Sequence, residues 1–203
     1  MELDHIAVAG ASLQRATDHV TRSLGQTPQP GGEHAVFHTH NTLLGLEDGL
    51  YLEAIAVNPD APVPDRPRWF DLDRFAGQPR LTNWICRCED LEATLAALPA
   101  GFGAPVSLQR GDLRWRMAVP ASGILPFDNC APALMQWEGG NHPAARLAPS
   151  GCRLERLTVT HPDAAALADM LAPVLTDGRL VFAAGPAGLT AAFDTASGAR
   201  ILA

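Results

Sequence analysis

Leu3-Asp4-His5-Ile6-Ala7-Val8, followed by Ala11-Ser12-Leu13-Gln14, reads as a short apolar strand, a polar cap and the start of a helix. The same order returns twice. Leu81-Thr82-Asn83-Trp84-Ile85-Cys86 runs into Glu89-Asp90-Leu91-Glu92, and Leu154-Glu155-Arg156-Leu157-Thr158-Val159 runs into Pro162-Asp163-Ala164-Ala165. Ser12, Asp90 and either His161 or Asp163 stand where a helix N-cap belongs. Apolar spacing, such as Leu91, Leu95 and Leu98, predicts helices over 12–24, 90–98 and 163–175.

Working outward from these three openings, short strands follow each helix. They are expected near 34–39, 42–47 and 50–57, near 105–109, 113–119 and 132–138, and near 179–184, 188–194 and 199–203. Glu47-Asp48-Gly49 and Arg110-Gly111-Asp112 supply turns between them. Gly31-Gly32 lacks the spacing of a dinucleotide loop and reads as another turn. Each unit is therefore βαβββ, about 1–57, 80–140 and 152–203. The Pro-rich stretch 58–79 reads as a surface linker and 139–151 as a second one. The fold class is α+β. Two units curl into a cupped mixed sheet with helices outside, and a third, partial repeat follows. The inward face of such a cup is a natural small-molecule pocket.

Composition narrows the function. The 203 residues hold 47% hydrophobic and 18% charged side chains, enough for a sizeable core. With 15 basic and 22 acidic side chains the formal net charge is -7, which argues against a nucleic-acid partner. All 15 basic residues are Arg, so Schiff-base chemistry and a P-loop are excluded. No apolar run has the length of a membrane span, and Met1-Glu2-Leu3-Asp4-His5 does not begin a signal peptide. Cys86, Cys88, Cys130 and Cys152 form no C-x-x-C motif and read as small buried residues of a reducing cytoplasm. Trp84, Trp115 and Trp137 read as core.

Several pieces of the sequence resemble the vicinal oxygen chelate superfamily, and within it the glyoxalase-like domain proteins. They are Leu3-Asp4-His5-Ile6, Pro30-Gly31-Gly32-Glu33-His34, Thr39-His40-Asn41-Thr42-Leu43, Tyr51-Leu52-Glu53, Trp115 with Pro126-Phe127, and Trp137 followed by His142-Pro143. They cover residues 1–145. The resemblance implies a domain of two βαβββ units holding a small molecule. It implies a metal-dependent lyase, isomerase or dioxygenase, or a non-catalytic binding or sequestering protein, because one fold hosts many functions.

The resemblance also implies one divalent metal, Zn, Fe, Mn or Ni, held from first and fourth strands. Carried over by residue, the ligands are His5, Glu53 and Gln136, with Asn83 where His5 stands in the other unit. Strand parity agrees for the first pair: Leu3, His5 and Ala7 are expected on one face, and Tyr51, Glu53 and Ile55 on one face. The third unit carries Arg156 in the His position and no site. Two readings of His5 and Glu53 stand side by side: metal ligands, or a hydrogen-bonded pair acting as a general base.

The family motif further implies His34 and Asn41 as substrate-binding residues. His38 and His40 share the parity of His34 but read as turn residues. Arg114 and Arg116 flank Trp115 on one strand face. They either grip a substrate carboxylate or form exposed ion pairs. The third unit is too small to stand alone. It must dock on the first two or pair with its counterpart, and a homodimer is expected.

Overall fold

Local signals place the helices. The computed structural model describes all residues 1–203. Helix α1 (Leu13–Leu24) starts at Ser12, whose Oγ accepts from Arg15 N at 3.4 Å, and ends at Gly25 with φ 71°. Helix α2 (Leu91–Ala96) is capped by Asp90, which accepts from Ala93 N at 2.9 Å. At α3 (Ala164–Leu171) the Asp163 side chain makes no cap bond, and His161 Nδ1 accepts from Asp163 N at 2.9 Å instead.

The strands are β1 (Glu2–Ala9), β2 (Gln29–His34), β3 (Thr39–Gly45), β4 (Tyr51–Val57), β5 (Arg80–Arg87), β6 (Ala104–Arg110), β7 (Leu113–Val119), β8 (Ala133–Glu138), β9 (Arg153–Thr160), β10 (Leu180–Ala183), β11 (Gly188–Asp194) and β12 (Arg200–Leu202). The three βαβββ units are all present. Only β2 is misplaced by the sequence reading: it runs through Pro30-Gly31-Gly32, not 34–39. Pro is tolerated there because β2 is an edge strand.

The first two units form one eight-stranded sheet in the order β2-β3-β4-β1-β5-β8-β7-β6. β1 is parallel to β4, β5 is parallel to β8, and the units join through antiparallel β1 and β5. The sheet curls until its edges meet: Gly32 in β2 lies against the Arg110 side chain at the end of β6. Apolar side chains then divide between two cores. Ala7, Ala9, Ile55, Ile85, Trp115, Met117 and Met135 fill the concave side. Leu3, Ile6, Val8, Leu52, Trp84 and Cys86 face outward, under α1, α2 and the third unit.

A register shift between Leu3 and His5 corrects the expected parity. Leu3 packs outward with Ile6 and Val8, while His5 and Ala7 face the cup.

The segment 58–79 is more than a surface linker. Its Trp69–Arg74 turn drives Trp69, Phe70 and Leu72 into the cup, 3%, 5% and 4% exposed. Proline spacing marked the loop, but the apolar run within it needed a cavity to fill. Phe70 and Asp71 sit at φ 60° and 57°, a left-handed backbone that costs about 1–2 kcal/mol per non-glycine residue. Phe37 stacks on Trp69 at 4.4 Å and holds the plug in place.

The third unit keeps the element order but not the wiring. Its sheet runs β10-β9-β11-β12, with β9 parallel to the strand directly after its helix. Leu154, Leu157, Val159, Leu189, Phe193 and Leu202 pack into the outer core of the first two units. The apolar face that argued for a partner chain is thus covered within the chain, and Leu167 and Leu171 of α3 are fully buried there. No helix is long and apolar enough to cross a membrane.

Candidate functional site

The concave face gathers His5 and Tyr51 at neighbouring positions of β1 and β4, Glu53 further along β4, His34 at the end of β2 and Asn41 on β3. Trp69, Phe70, Trp115, Met117, Met135 and Trp137 wall them in, and Arg110 closes the seam. The cavity between them is about 30 Å³. That is room for about one or two waters, so a larger occupant needs side chains of the wall to move.

Asp4 sets the orientation of His5. The β1 bulge buries Asp4 completely, and its carboxylate meets His5 Nδ1 at 2.6 Å, His142 Nε2 at 2.9 Å and Trp137 Nε1 at 3.0 Å. Burial alone would raise its pKa. The hydrogen bonds from His142 and His5, with the charge interactions of the same two rings, hold it far below the usual carboxylate range. An ionised Asp4 can only accept, so His5 Nδ1 carries a proton and Nε2 is the ring nitrogen turned to the cavity. Tyr51 stacks on the His5 ring at 4.2 Å.

His5 Nε2 faces Glu53 Oε2 at 3.8 Å, beyond hydrogen-bond length. The other oxygen, Oε1, accepts from Asn41 Nδ2 and lies 3.9 Å from His34 Nε2. His34 Nδ1 is tied to Thr39 Oγ1 at 2.9 Å. Burial first, then the positive charge of Arg110, lowers the His34 pKa to about 3, so the ring is neutral near neutral pH. Asn41 Oδ1 accepts from Gly32 N at 2.9 Å and from Arg110 Nη1 at 3.0 Å.

Gly31 and Gly32 make this assembly possible. A Cβ on Gly31 would stand 2.0 Å from Asn41 Oδ1, and one on Gly32 would stand 2.7 Å from Arg110 Cδ. The glycine pair lies within β2 and is a cradle for Asn41 and Arg110, not a turn.

Of the residues the sequence singled out, His5, Glu53, His34 and Asn41 meet in the cup. Gln136, Arg114 and Arg116 do not. Gln136 lies on the outer side, where its Oε1 accepts from Leu91 N at 3.1 Å and from Arg116 Nη2 at 2.6 Å. The pairing explains the error. Ala7 faces Glu53, and Ile85, the counterpart of Ala7, faces Ala133. The register counterpart of Glu53 is therefore Ala133, and Gln136 has the opposite parity. Arg114 is exposed on the outer side, and Arg116 pairs there with Glu92 and Glu138. Asn83 is buried and bonded to Asn129 Nδ2 at 3.5 Å, outside the cavity wall. His38 lies in the turn after β2, and His40 pairs across from Glu33, so neither joins His34.

The expected metal shell is not assembled. His5, His34 and Glu53 are the right donor types, yet no three His, Cys, Asp or Glu side chains are arranged to hold an ion. Glu53 turns one oxygen to each imidazole, and the Asn41 amide donor lies 3.4 Å from His34 Nε2 while bonding Glu53. Gln136, the third expected ligand, is across the sheet.

The sequence reading missed Asp4, Arg110, Tyr51 and Trp69. Asp4 and Tyr51 lay inside quoted motifs, one residue from His5 and two from Glu53. Arg110 looked like a turn residue, and nothing local signals that it reaches across the seam.

No functionally curated protein matches the chain. A hypothetical protein from Staphylococcus aureus has a similar structure, with 15% identity, a TM-score of 0.57, and coverage of 84% of this chain and 73% of that one. Methylmalonyl-CoA epimerase from Mycobacterium tuberculosis aligns with a TM-score of 0.43 at 19% identity, over 68% of this chain and 88% of that one. The profile of the glyoxalase-like domain family matches residues 3–175, past the expected 1–145 and through α3 of the third unit. The chain belongs to the glyoxalase-like domain family.

Proposed function

We propose that the chain is an enzyme that moves protons on a small α-hydroxycarbonyl substrate in the cup, with Glu53 and His5 as the proton carriers. The observation that supports this reading is the 3.8 Å gap between His5 Nε2 and Glu53 Oε2. It is too long for a direct hydrogen bond, and both groups line the same small cavity. A buried carboxylate and a carboxylate-oriented imidazole are costly to keep without a task.

Glu53 takes the proton from the carbon bearing the hydroxyl, and the electron pair moves to the carbonyl oxygen. His5 Nε2 takes the hydroxyl proton and delivers it to that oxygen. Glu53 returns its proton to the former carbonyl carbon, completing an isomerisation. Asn41 keeps the Glu53 carboxylate in place, and Asp4 stabilises the His5 imidazolium as it forms. Where the substrate carries a leaving group on the next carbon, the same first step gives a lyase. No step is routed through a metal, because the donors present do not form its shell.

The test is solvent deuterium exchange into a panel of small α-hydroxycarbonyl compounds, followed by proton NMR. Wild-type protein is expected to catalyse loss of the C–H signal, and Glu53→Gln to lower the rate by about 10²–10⁴-fold. Saturable binding with no exchange for any compound would replace the enzyme reading with a sequestering one.

A further inference from the structure

Arg110 has no acidic partner. Arg110 is the one arginine in the cavity wall, and several arginines elsewhere are paired: Arg68 with Asp73, Arg87 with Glu2 and Asp4, Arg116 with Glu92 and Glu138, and Arg146 with Asp112. Arg110 makes no ion pair within 4.0 Å, and its one hydrogen bond, to Asn41 Oδ1, uses a single donor of five. It is half-buried and lines the cavity beside His34, Tyr51 and Trp115. The chain also gives up a side chain at Gly32 to let it lie there.

A half-buried guanidinium with spare donors and no counter-ion is expensive unless something anionic joins it. Glu53 is the one carboxylate in the cavity wall, and Asn41 stands between it and Arg110, donating to one and accepting from the other. The amide therefore separates a cationic end from the Glu53–His5 end of one small chamber. The planar fork of the guanidinium matches a carboxylate in a two-bond grip.

We propose that Arg110 is the receptor for a substrate carboxylate, so that the cup takes small α-oxygenated carboxylic acids, seated with the carboxylate on Arg110 and the oxygenated carbon towards Glu53 and His5. This rests on the reading of the cup as a substrate site, and it adds the chemical class that site selects.

The experiment compares glycolate with glycolamide, its neutral counterpart of nearly equal shape. Trp69, Trp115 and Trp137 line the cavity and report binding by their fluorescence. Wild-type protein is expected to show saturable binding of glycolate and binding of glycolamide about ten- to hundredfold weaker. Arg110→Gln is expected to abolish that preference, and Arg110→Lys to keep part of it, because a point charge lacks the fork. Melting curves and near-ultraviolet circular dichroism report whether each variant is folded. Should Arg110→Gln not fold, the ¹⁵N–¹H signal of Arg110 Nε in wild-type protein gives the same answer, and it should shift with glycolate and not with glycolamide. Glu53→Gln is expected to keep the glycolate preference while losing proton exchange, so the two readings fail separately. Equal affinity for the two probes, a preference undiminished in folded Arg110→Gln, or an Arg110 Nε signal unmoved by glycolate would overturn the proposal.

Discussion

Asp4 Oδ1 accepts from His5 Nδ1 at 2.6 Å, two adjacent residues of one strand bonding on the same side of the sheet. Regular strand alternation forbids this, because neighbours point to opposite faces. The bulge between Leu3 and His5 permits it. One backbone irregularity therefore fixes the ring that faces Glu53, and ties it to His142 of the 139–151 segment and Trp137 of β8.

Asp4→Asn should remove this anchor. Loss of a buried, multiply bonded carboxylate is expected to cost about 2–4 kcal/mol at neutral pH. The folded-state pKa of Asp4 lies far below its ordinary value of 3.8, so its stabilisation is complete above about pH 4–5 and is lost as pH falls towards the folded value. Urea midpoints of wild type and variant should lie well apart at pH 7 and draw together below about pH 3. A gap that stays constant with pH would show that the charge of Asp4 contributes nothing.

His34 gives a second, separate pH effect. Its folded pKa of about 3 lies below the ordinary 6.5, so between those values the unfolded chain binds a proton that the native chain does not. Stability therefore rises with pH through that window and is lost on acidification. The loss amounts to a few kcal/mol, at about 1.4 kcal/mol per unit over part of the interval. His34→Gln should flatten the pH 4–6.5 limb while leaving the Asp4 limb below it. Denaturant unfolding at half-unit pH steps measures both, and an unchanged slope in the variant would place the acid sensitivity elsewhere.

The repeat order, helix caps and most strand positions were legible because they depend on local chemistry: Ser12, Asp90, the 3.6-residue apolar spacing and the turns. His5, Glu53, His34 and Asn41 were legible as a set through the family motifs. Gln136 failed for a geometric reason. Aligning Tyr51-Leu52-Glu53 with Leu134-Met135-Gln136 slips the strand by three positions relative to the observed pairing, and an odd slip inverts every side chain. The contribution of 58–79 failed because Trp69 and Phe70 are explained only by the cavity they fill. Arg110 failed because its partners, Gly32 and Asn41, lie on β2 and β3 at the opposite end of the strand order.

Gln136→Ala should accordingly act on stability and not on the site. Gln136 ties the α2 N-terminus at Leu91 N to Arg116, so its loss is expected to cost about 1 kcal/mol and to leave glycolate binding unchanged. Dialysis against a strong chelator should likewise leave the melting temperature and any proton exchange unaltered. A fall after chelation, with recovery on adding zinc or manganese, would show that His34 turns to complete a three-donor shell with His5 and Glu53.

Gly32→Ala tests the cradle directly. The added Cβ would stand 2.7 Å from Arg110 Cδ, closer than real contacts allow, while no backbone atom of Arg110 is among its nearest neighbours. Relief therefore requires the Arg110 side chain to move, which breaks its bond to Asn41 Oδ1 and opens the seam between β2 and β6. The expected cost is about 1–3 kcal/mol, with weakened glycolate binding. In Arg110→Ala the clash is absent, so adding Gly32→Ala to it should cost less than about 0.5 kcal/mol beyond the single change. Gly31→Ala behaves differently, because its Cβ would meet Asn41 Oδ1 at 2.0 Å and the Asn41 backbone oxygen at 2.8 Å, and no truncation of Arg110 relieves that. A double-mutant cycle by urea unfolding separates the two glycines. Strong coupling of Arg110 to Gly32 and none to Gly31 is expected, and additive costs for Gly32 and Arg110 would show that the second glycine does not serve the arginine.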